Sequence, residues 1–398
     1  MTHVFGRHFL QIPGPSPVPD RVLRAMSAQV IDHRGPEFGE LGLKALAGMK
    51  TIFKTQQDVI IYPSSGTGAW EAALANVLKE GDRVLMYETG HFATLWKKMA
   101  EKLGVRAEFI GGDWRSGADP DQIEQHLRAD TGHEIKAVCV VHNETSTGSV
   151  SPIADVRRAM DAAGHPALLM VDTISGLASI DFRFDEWGID VAVSGSQKGL
   201  MLPPGISFNA VSGKALEAAK NNGMRRSYWD WQEMVEINGK GYFPYTPATN
   251  MLYGLVEAID MLHEEGLDTV FARHQRLAAA TRAAVRAWGL EVLCNRQGHE
   301  SGVLTTVMMP EGHSADAFRA EALRHYNISL GSGLSKVADK VFRIGHLGSL
   351  TDAMALSGIA TAEMVMADLG LPIKLGSGVA AAQEHYRQST ATAQKKAA

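Results

Sequence analysis

The run Ser194-Gly195-Ser196-Gln197-Lys198-Gly199 sets one lysine among small residues, after the apolar stretch Val191-Ala192-Val193 and shortly before Pro203-Pro204-Gly205. A lysine at the end of a buried strand is costly to keep charged, because desolvating an ammonium favours the neutral amine. Such an amine is a nucleophile of the kind that forms a Schiff base with a carbonyl group. The same residues would also suit a surface lysine in a loop, so the neighbouring motifs must decide. Ser64-Ser65-Gly66-Thr67-Gly68-Ala69 follows the apolar stretch Val59-Ile60-Ile61-Tyr62 and opens a helix. Small residues let backbone N–H groups close on an anion, the helix N-terminus adds its positive end, and the Ser65 and Thr67 hydroxyls add donors. No lysine follows, so it is not a Walker loop, and it lacks the dinucleotide glycine fingerprint. Asp172 ends the apolar run 167–172. Its carboxylate could cap a following helix or hold a positive charge on a bound group. His142-Asn143-Glu144-Thr145-Ser146-Thr147-Gly148 follows another apolar run. It reads either as a polar turn closed by glycine or as a set of ligand-bonding groups.

A phosphate cup, an acidic strand end and a lysine, in the order Gly68, Asp172, Lys198, share one coherent chemistry. In pyridoxal phosphate enzymes a lysine holds the cofactor aldehyde, and an aspartate keeps the pyridine nitrogen protonated so that the ring acts as an electron sink. The elements needed to position these groups are legible as alternation. Helical patterns at 68–78, 94–103 and 153–163 alternate with apolar strands at 83–87, 106–110, 137–142, 167–172 and 191–194. Continuous apolar strands between helices predict a mostly parallel sheet covered on both faces, with ligands at the carboxyl ends of its strands. The polar motifs lie at those ends.

Around this α/β core, Ile12-Pro13-Gly14-Pro15-Ser16-Pro17-Val18-Pro19 predicts an extended arm, followed by a helix from about 20 to 30. Residues 221–250 read as irregular and aromatic. Helices at 250–265, 268–288, 314–325 and 352–369, with strands near 291–293 and 303–309, predict an α+β block, and the tail beyond 383 reads as fraying. The expected division is an arm at 1–20, a large cofactor-binding domain at 21–255 and a small C-terminal domain at 256–398.

Length and composition are those of an ordinary globular protein of two or three domains. The 398 residues are 45% hydrophobic and 21% charged, with a net charge of −5, which disfavours nucleic acid or an anionic membrane as a partner. No apolar run is long enough to span a bilayer, and Met1-Thr2-His3-Val4-Phe5-Gly6-Arg7 lacks a secretory pattern. The two cysteines, Cys139 and Cys294, make a disulfide framework or cysteine-based zinc site improbable and fit a cytoplasmic location.

Pro13-Gly14-Pro15, Ser65-Gly66-Thr67-Gly68, the 142–148 motif, Val171-Asp172, Ser194-Gly195-Ser196-Gln197-Lys198, Pro203-Pro204-Gly205 and Phe342-Arg343-Ile344-Gly345 together resemble the class V aminotransferases, across nearly the whole chain. Within that family the chain is similar to the serine–glyoxylate and alanine–glyoxylate branch, with Asp32-His33-Arg34 and Pro244-Tyr245-Thr246-Pro247 on the serine–glyoxylate side, and related aspartate–glyoxylate enzymes share these features. The resemblance implies a fold-type I transferase with a mostly parallel seven-stranded sheet and a smaller α+β domain. It implies pyridoxal 5'-phosphate, Lys198 as Schiff-base lysine and proton shuttle, and Asp172 on the pyridinium. It places Phe92 against the ring, where many members carry tryptophan, so stacking should be weaker here. Thr145 would bond the phenolic oxygen, and Thr67, Gly68, Ala69 and Gln197 the phosphate. Tyr242, Tyr245 and Thr246 lie in the segment lent to a neighbouring subunit's phosphate; which of them acts stays open. Arg343 would clamp the substrate carboxylate, with the backbone near Gly14 facing the same group. Its apolar flanks favour a buried strand over a surface arginine. His33 and Arg34 would enter the partner's site of a homodimer. His91 is given no role. The implied reaction moves an amino group from serine or aspartate to glyoxylate, giving glycine; alanine as donor, or a lyase reaction on the same fold, is the alternative.

Overall fold

The computed structural model describes residues 6–221 and 224–397, the side chains of 390–397 excepted. The first residues of the N-terminal arm, 1–5, lie outside the described residues.

The chain runs β1 (Phe9–Gln11), α1 (Asp20–Met26), α2 (Pro36–Phe53), β2 (Asp58–Tyr62), α3 (Gly66–Val77), β3 (Arg83–Tyr87), α4 (His91–Lys102), β4 (Arg106–Ile110), α5 (Pro120–Ala129), β5 (Ile135–Val141), β6 (Asn143–Glu144), β7 (Ser149–Val150), α6 (Ile153–Ala162), β8 (Leu168–Asp172), β9 (Val191–Gly195) and β10 (Ser207–Val211). It continues with α7 (Gly213–Lys220), α8 (Trp231–Asn238), α9 (Thr249–Glu265), α10 (Leu267–Ala287), β11 (Leu304–Met308), α11 (Ala315–Tyr326), β12 (Ile328–Ser332), β13 (Val341–Gly345), α12 (Asp352–Asp368) and α13 (Ser377–Ala397).

Seven strands form the large sheet in the order β2-β10-β9-β8-β5-β3-β4. All its pairings are parallel except the two made by β10, which is antiparallel to β2 and β9. Alternate residues of each strand enter opposite cores. Leu169, Val171 and Ala192 pack on the side of α2 and α9, whereas Leu168, Met170, Val191 and Val193 pack on the side of α3, α7 and α8. Burial on both faces is why these strands read as unbroken apolar runs. A second sheet, β1-β12-β13-β11, carries its own apolar layer with α10, α11 and α12. No helix of the described residues is long and apolar enough to cross a membrane.

Several expectations are corrected. The arm is more than a coil: β1 pairs in parallel with β12, joining residues about 320 apart in sequence. The helix expected to reach residue 30 stops at Met26. The aromatic segment 221–250 contains α8, whose N-cap Asp230 accepts from the N–H groups of Gln232 (2.9 Å) and Glu233 (3.2 Å). The strand expected near 291–293 is only an isolated bridge between Val292 and Val307. Residues 383–397 continue α13. Strand β10 has no counterpart in the sequence reading, because Asn209 interrupts its apolar pattern. That amide is satisfied by tertiary contacts, donating to Ala69 O (3.1 Å) and accepting from Trp231 Nε1 (3.3 Å). Residue 255 lies inside α9, whose buried residues Leu252, Leu255, Ala258 and Ile259 belong to the core with α2.

Gly345, at the end of β13, is where the arm meets the second sheet. A Cβ there would lie 2.2 Å from Ile12 O and 2.8 Å from Pro13 N, both backbone atoms that cannot swing aside. Gly345→Ala is therefore expected to destabilise the protein by about 1–3 kcal/mol, read as a lowered urea midpoint with an unchanged slope.

Candidate active site

Lys198 lies in the turn after β9. Gly199 lets that turn pack closely: a Cβ there would lie 2.2 Å from Leu177 O. Across the turn, Ser16 Oγ donates to Lys198 O (2.7 Å) and Ser16 N–H to Gln197 O (3.0 Å). The arm is thus laid over the lysine, whose Nζ donates to Pro13 O at 2.8 Å. Gly14 has φ +103, and an added Cβ would fall 2.4 Å from Lys198 Nζ. The positive φ favours glycine here, and a side chain would also displace the end of Lys198. Burial pulls the Lys198 amine down to about 8; the Arg343 charge adds to this, and Asp172 opposes it.

Asp172 ends β8, the strand beside β9, and is 4% exposed. It caps a turn, not a helix: Oδ1 accepts from Ile174 N–H at 2.8 Å. Its other oxygen, Oδ2, accepts from Trp70 Nε1 at 3.1 Å, and Trp70 stacks on the buried Trp96 (centroids 5.9 Å, planes 13° apart). Burial pushes this carboxyl up to about 7, with the Glu144 charge in the same direction and the Ile174 and Trp70 donors against it. A carboxyl raised by burial and an amine lowered by it, lining one cleft, mark the cleft as a candidate functional site.

The start of α3 faces the same cleft. Its N-cap, Ser65, makes no side-chain cap bond, and no acidic residue occupies the first turn. Among the described residues the amides of Gly66, Thr67 and Gly68 have no backbone partner, while that of Ala69 is used on Ser65 O (3.2 Å). A Cβ at 66 or 68 would lie 2.5 Å from Ile174 Cδ1 or 1.9 Å from Ser64 Oγ, so either side chain would have to shift to admit one. Gln197 Oε1 is buried with no partner. Unpaired amide N–H groups at a helix N-terminus make a cradle that fits a phosphate, and the Gln197 carboxamide beside it can donate only with its NH₂ turned toward the anion.

Thr145 and Arg343 close the remaining side. Thr145 Oγ1 donates to Ser175 Oγ (2.8 Å), which donates on to Asn143 O (2.9 Å). Arg343 comes from β13 of the second sheet. Its Nε donates to Ser332 O (2.7 Å) and its Nη1 to Thr145 O (2.8 Å), and no ion pair among the described residues involves it. Burial lowers its proton affinity to about 10. A guanidinium 7% exposed and bonded only to carbonyls leaves donors and charge for an anionic ligand. Phe92, second residue of α4, is half-buried and lines the cleft with Ser65, Gly66, Thr67, Thr145 and Gln197.

The fold therefore gathers Gly14, Thr67, Gly68, Phe92, Thr145, Asp172, Gln197, Lys198 and Arg343 around one cleft. Ala69 is fully buried beneath it. Five expected site residues lie elsewhere on this chain. Tyr242 hydroxyl donates to Gly35 O (3.3 Å), and Tyr245 stacks on Tyr228 at 4.5 Å. His33 and Thr246 share a separate groove, and Arg34 is exposed. Trp70, Ile174 and Ser175 were missed as cleft residues. A tryptophan in the second turn of a buried helix must find an acceptor for its Nε1–H, and that was the available signal. Both thiols are poor nucleophiles: burial pushes Cys139 up strongly and Cys294 to about 11.

Seven mostly parallel strands with a lysine, an aspartate and a helix N-terminus at one end define the fold-type I transferase architecture. The sequence profile described as aminotransferase class-V matches residues 8–350, and the chain belongs to that family. It is 52% identical over 388 residues to the L-aspartate–glyoxylate aminotransferase of Paracoccus denitrificans, covering 97% of this chain and 98% of that one. It is 48% identical over 390 residues to the serine–glyoxylate aminotransferase of Methylorubrum extorquens, covering 96% and 97%. The crystal structure of pyridoxamine-pyruvate aminotransferase from Mesorhizobium loti superposes with a TM-score of 0.90 at 26% identity, over 96% of this chain and 97% of that one.

In cofactor-free protein, covalent labelling of Lys198 by an amine-reactive probe should be half-maximal near pH 8, well below the ordinary lysine value of 10.5. Removing the like charge with Arg343→Gln should move that midpoint upward. Residue-resolved mass spectrometry across a pH series reads both.

Proposed function

We propose that this aminotransferase binds pyridoxal 5'-phosphate in the cleft and transfers the amino group of serine or aspartate to glyoxylate, giving glycine and hydroxypyruvate or oxaloacetate. The observation that carries the reading is the convergence of Lys198, Asp172 and Arg343, from two sheets, on one cleft beside an open helix N-terminus. When bound, the cofactor supplies an aldehyde that captures the amino group and a ring that accepts the electron pair released at the substrate Cα.

The residues divide the work. The amides of Thr67 and Gly68, with Gln197, hold the phosphate; Ala69 supports the turn from below. Asp172 keeps a proton on the ring nitrogen, and Trp70 and Ile174 hold its two oxygens in place. Phe92 covers one face of the ring, and Thr145 bonds the phenolic oxygen. The neutral Lys198 amine would take the proton from the substrate Cα and return it to the carbon of the cofactor's aldehyde group, across the transferred nitrogen. Its low proton affinity makes it available for that at neutral pH. Arg343 pairs with the α-carboxylate, which the backbone of Gly14 also faces. Glyoxylate offers little besides that carboxylate, so a close clamp suits it.

His33, Arg34, Tyr242, Tyr245 and Thr246 lie outside this chain's own cleft, which supports a homodimer in which they serve the neighbouring site. Two buried, unpaired cysteines support a cytoplasmic setting. Within this chain's cleft Arg343 and Lys198 are the cations at hand, so a donor's distal carboxylate needs another, and Arg34 of the neighbouring subunit is the candidate. The high similarity to both an aspartate-using and a serine-using relative keeps these two donors together.

Purified protein should be yellow, and borohydride should fix the colour covalently at position 198; Lys198→Ala should abolish fixation and turnover. Asp172→Asn should lower kcat by about 10²–10³-fold. Loss of a charged pair in Arg343→Gln should raise KM for donor and acceptor by roughly 10- to 100-fold. A protein that stays colourless and takes up no such cofactor overturns the reading.

A matrix of donors against glyoxylate, pyruvate and 2-oxoglutarate should give the highest kcat/KM with glyoxylate. Turnover of serine with no turnover of aspartate would exclude Arg34 as a distal clamp.

A further inference from the structure

Glu144 is a fully buried carboxylate that the reaction outlined above does not use. It takes part in no ion pair among the described residues. Instead, five donors converge on it. Oε1 accepts from Ser146 Oγ (2.6 Å), Ser146 N–H (3.0 Å) and Phe92 N–H (3.3 Å); Oε2 accepts from Ala93 N–H (3.1 Å) and Thr89 Oγ1 (3.5 Å). Ser146 Oγ in turn accepts from His91 N–H at 2.9 Å. The carboxyl therefore occupies the N-terminus of α4, where five donors match its lone pairs while burial still holds its proton affinity above the ordinary glutamate value. The approach is close enough that a Cβ on Gly90 would lie 2.4 Å from Ser146 Oγ and 2.5 Å from Glu144 Cγ.

Two cleft walls meet at this one side chain. On one side is the first turn of α4, which carries Phe92. On the other is the turn holding Thr145, whose hydroxyl reaches Ser175 and whose carbonyl receives Arg343 Nη1. Both residues flanking Thr145, Glu144 and Ser146, belong to the cluster. The Glu144 charge also acts at a distance, raising the proton affinity of Asp172 and of Arg343.

We infer that Glu144 is a positioning residue that couples the two halves of the site. As a carboxylate it fixes the Phe92 helix and the Thr145 turn relative to one another, so that the cofactor-ring wall and the substrate-carboxylate clamp are set together. The inference rests on the cofactor reading above. A carboxamide is nearly the same size but has one accepting oxygen, so in Glu144→Gln an NH₂ must face N–H or O–H donors on one side.

The fold contains a matched control. Glu363, 2% exposed, does the same capping job at α13, accepting from Gly378 N–H (2.5 Å), Val379 N–H (3.4 Å) and Trp288 Nε1 (2.7 Å) away from the cleft. The experiment compares wild type, Glu144→Gln, Ser146→Ala and Glu363→Gln. It measures the dissociation constant for pyridoxal phosphate by titrating the cofactor-free proteins, the visible circular dichroism of the bound cofactor, and KM against kcat for donor and glyoxylate. Both glutamine variants should lose thermal stability. Only Glu144→Gln should also weaken cofactor binding and raise donor KM, each by about tenfold, and change the cofactor's dichroic band. Ser146→Ala removes one donor and should move the same readouts in the same direction by less; it carries the test if Glu144→Gln does not fold. Unchanged cofactor binding, dichroism and KM in Glu144→Gln, or in Ser146→Ala if that variant carries the test, overturn the inference while leaving the cofactor reading intact. Wild-type protein that binds no cofactor overturns both.

Discussion

Taking an ammonium and a carboxylate out of water in the same cleft is the constraint on which this molecule depends. Each charge alone would be driven to neutrality by burial. Lys198 falls to about 8 and Asp172 rises to about 7. They stop there because each is held partway by specific groups: Ile174 N–H and Trp70 Nε1 for the carboxylate, and the carboxylate itself for the amine. Neighbouring parallel strands, β8 and β9, put the two strand ends side by side. Parallel strands must be covered on both faces, so the alternating helices are a requirement of the chemistry as much as of the core.

A third charge arrives from the other sheet. Arg343 lies in β13 between buried neighbours Phe342 and Ile344, and reaches Thr145 O across the junction. The proline-rich arm secures that meeting. Its strand β1 pairs with β12, Ile12 O closes on Gly345, and Pro13 O receives the Lys198 amine. One extended segment thus touches the second sheet and the reactive lysine in succession. Proline denies this segment helical structure, and glycine at 14 gives the lysine room.

Much of the large sheet was legible because its strands are short apolar runs separated by amphipathic helices. Where a polar residue interrupts such a run, as Asn209 does in β10, the pattern fails although the strand forms. The helix α8 was hidden for a related reason: the aromatic residues around it pack against Tyr62 and the large sheet, which masks the periodicity. Of the site, Lys198, Asp172 and the α3 turn were readable since each breaks an apolar run with an unmistakable group. Trp70, Ile174 and Ser175 were not, because nothing local says where an indole N–H, a main-chain N–H or a hydroxyl will point. Nothing in the 142–148 motif marks Glu144 for a role, since its partners at 89–93 lie about 50 residues earlier.

The amino-acid sequence by itself determined which groups could do chemistry, in what order, and that they stand at the ends of buried strands. Strand periodicity and the cost of burying a charge are local properties, so they are written in consecutive residues. Only the tertiary structure decided that Arg343 and the arm meet Lys198, and that Ala69 is spent within its helix while Gly66, Thr67 and Gly68 remain open. It also decided that His33, Arg34, Tyr242, Tyr245 and Thr246 stand outside this chain's own cleft. Those outcomes depend on distances between segments far apart in the chain, which packing sets and no local pattern encodes.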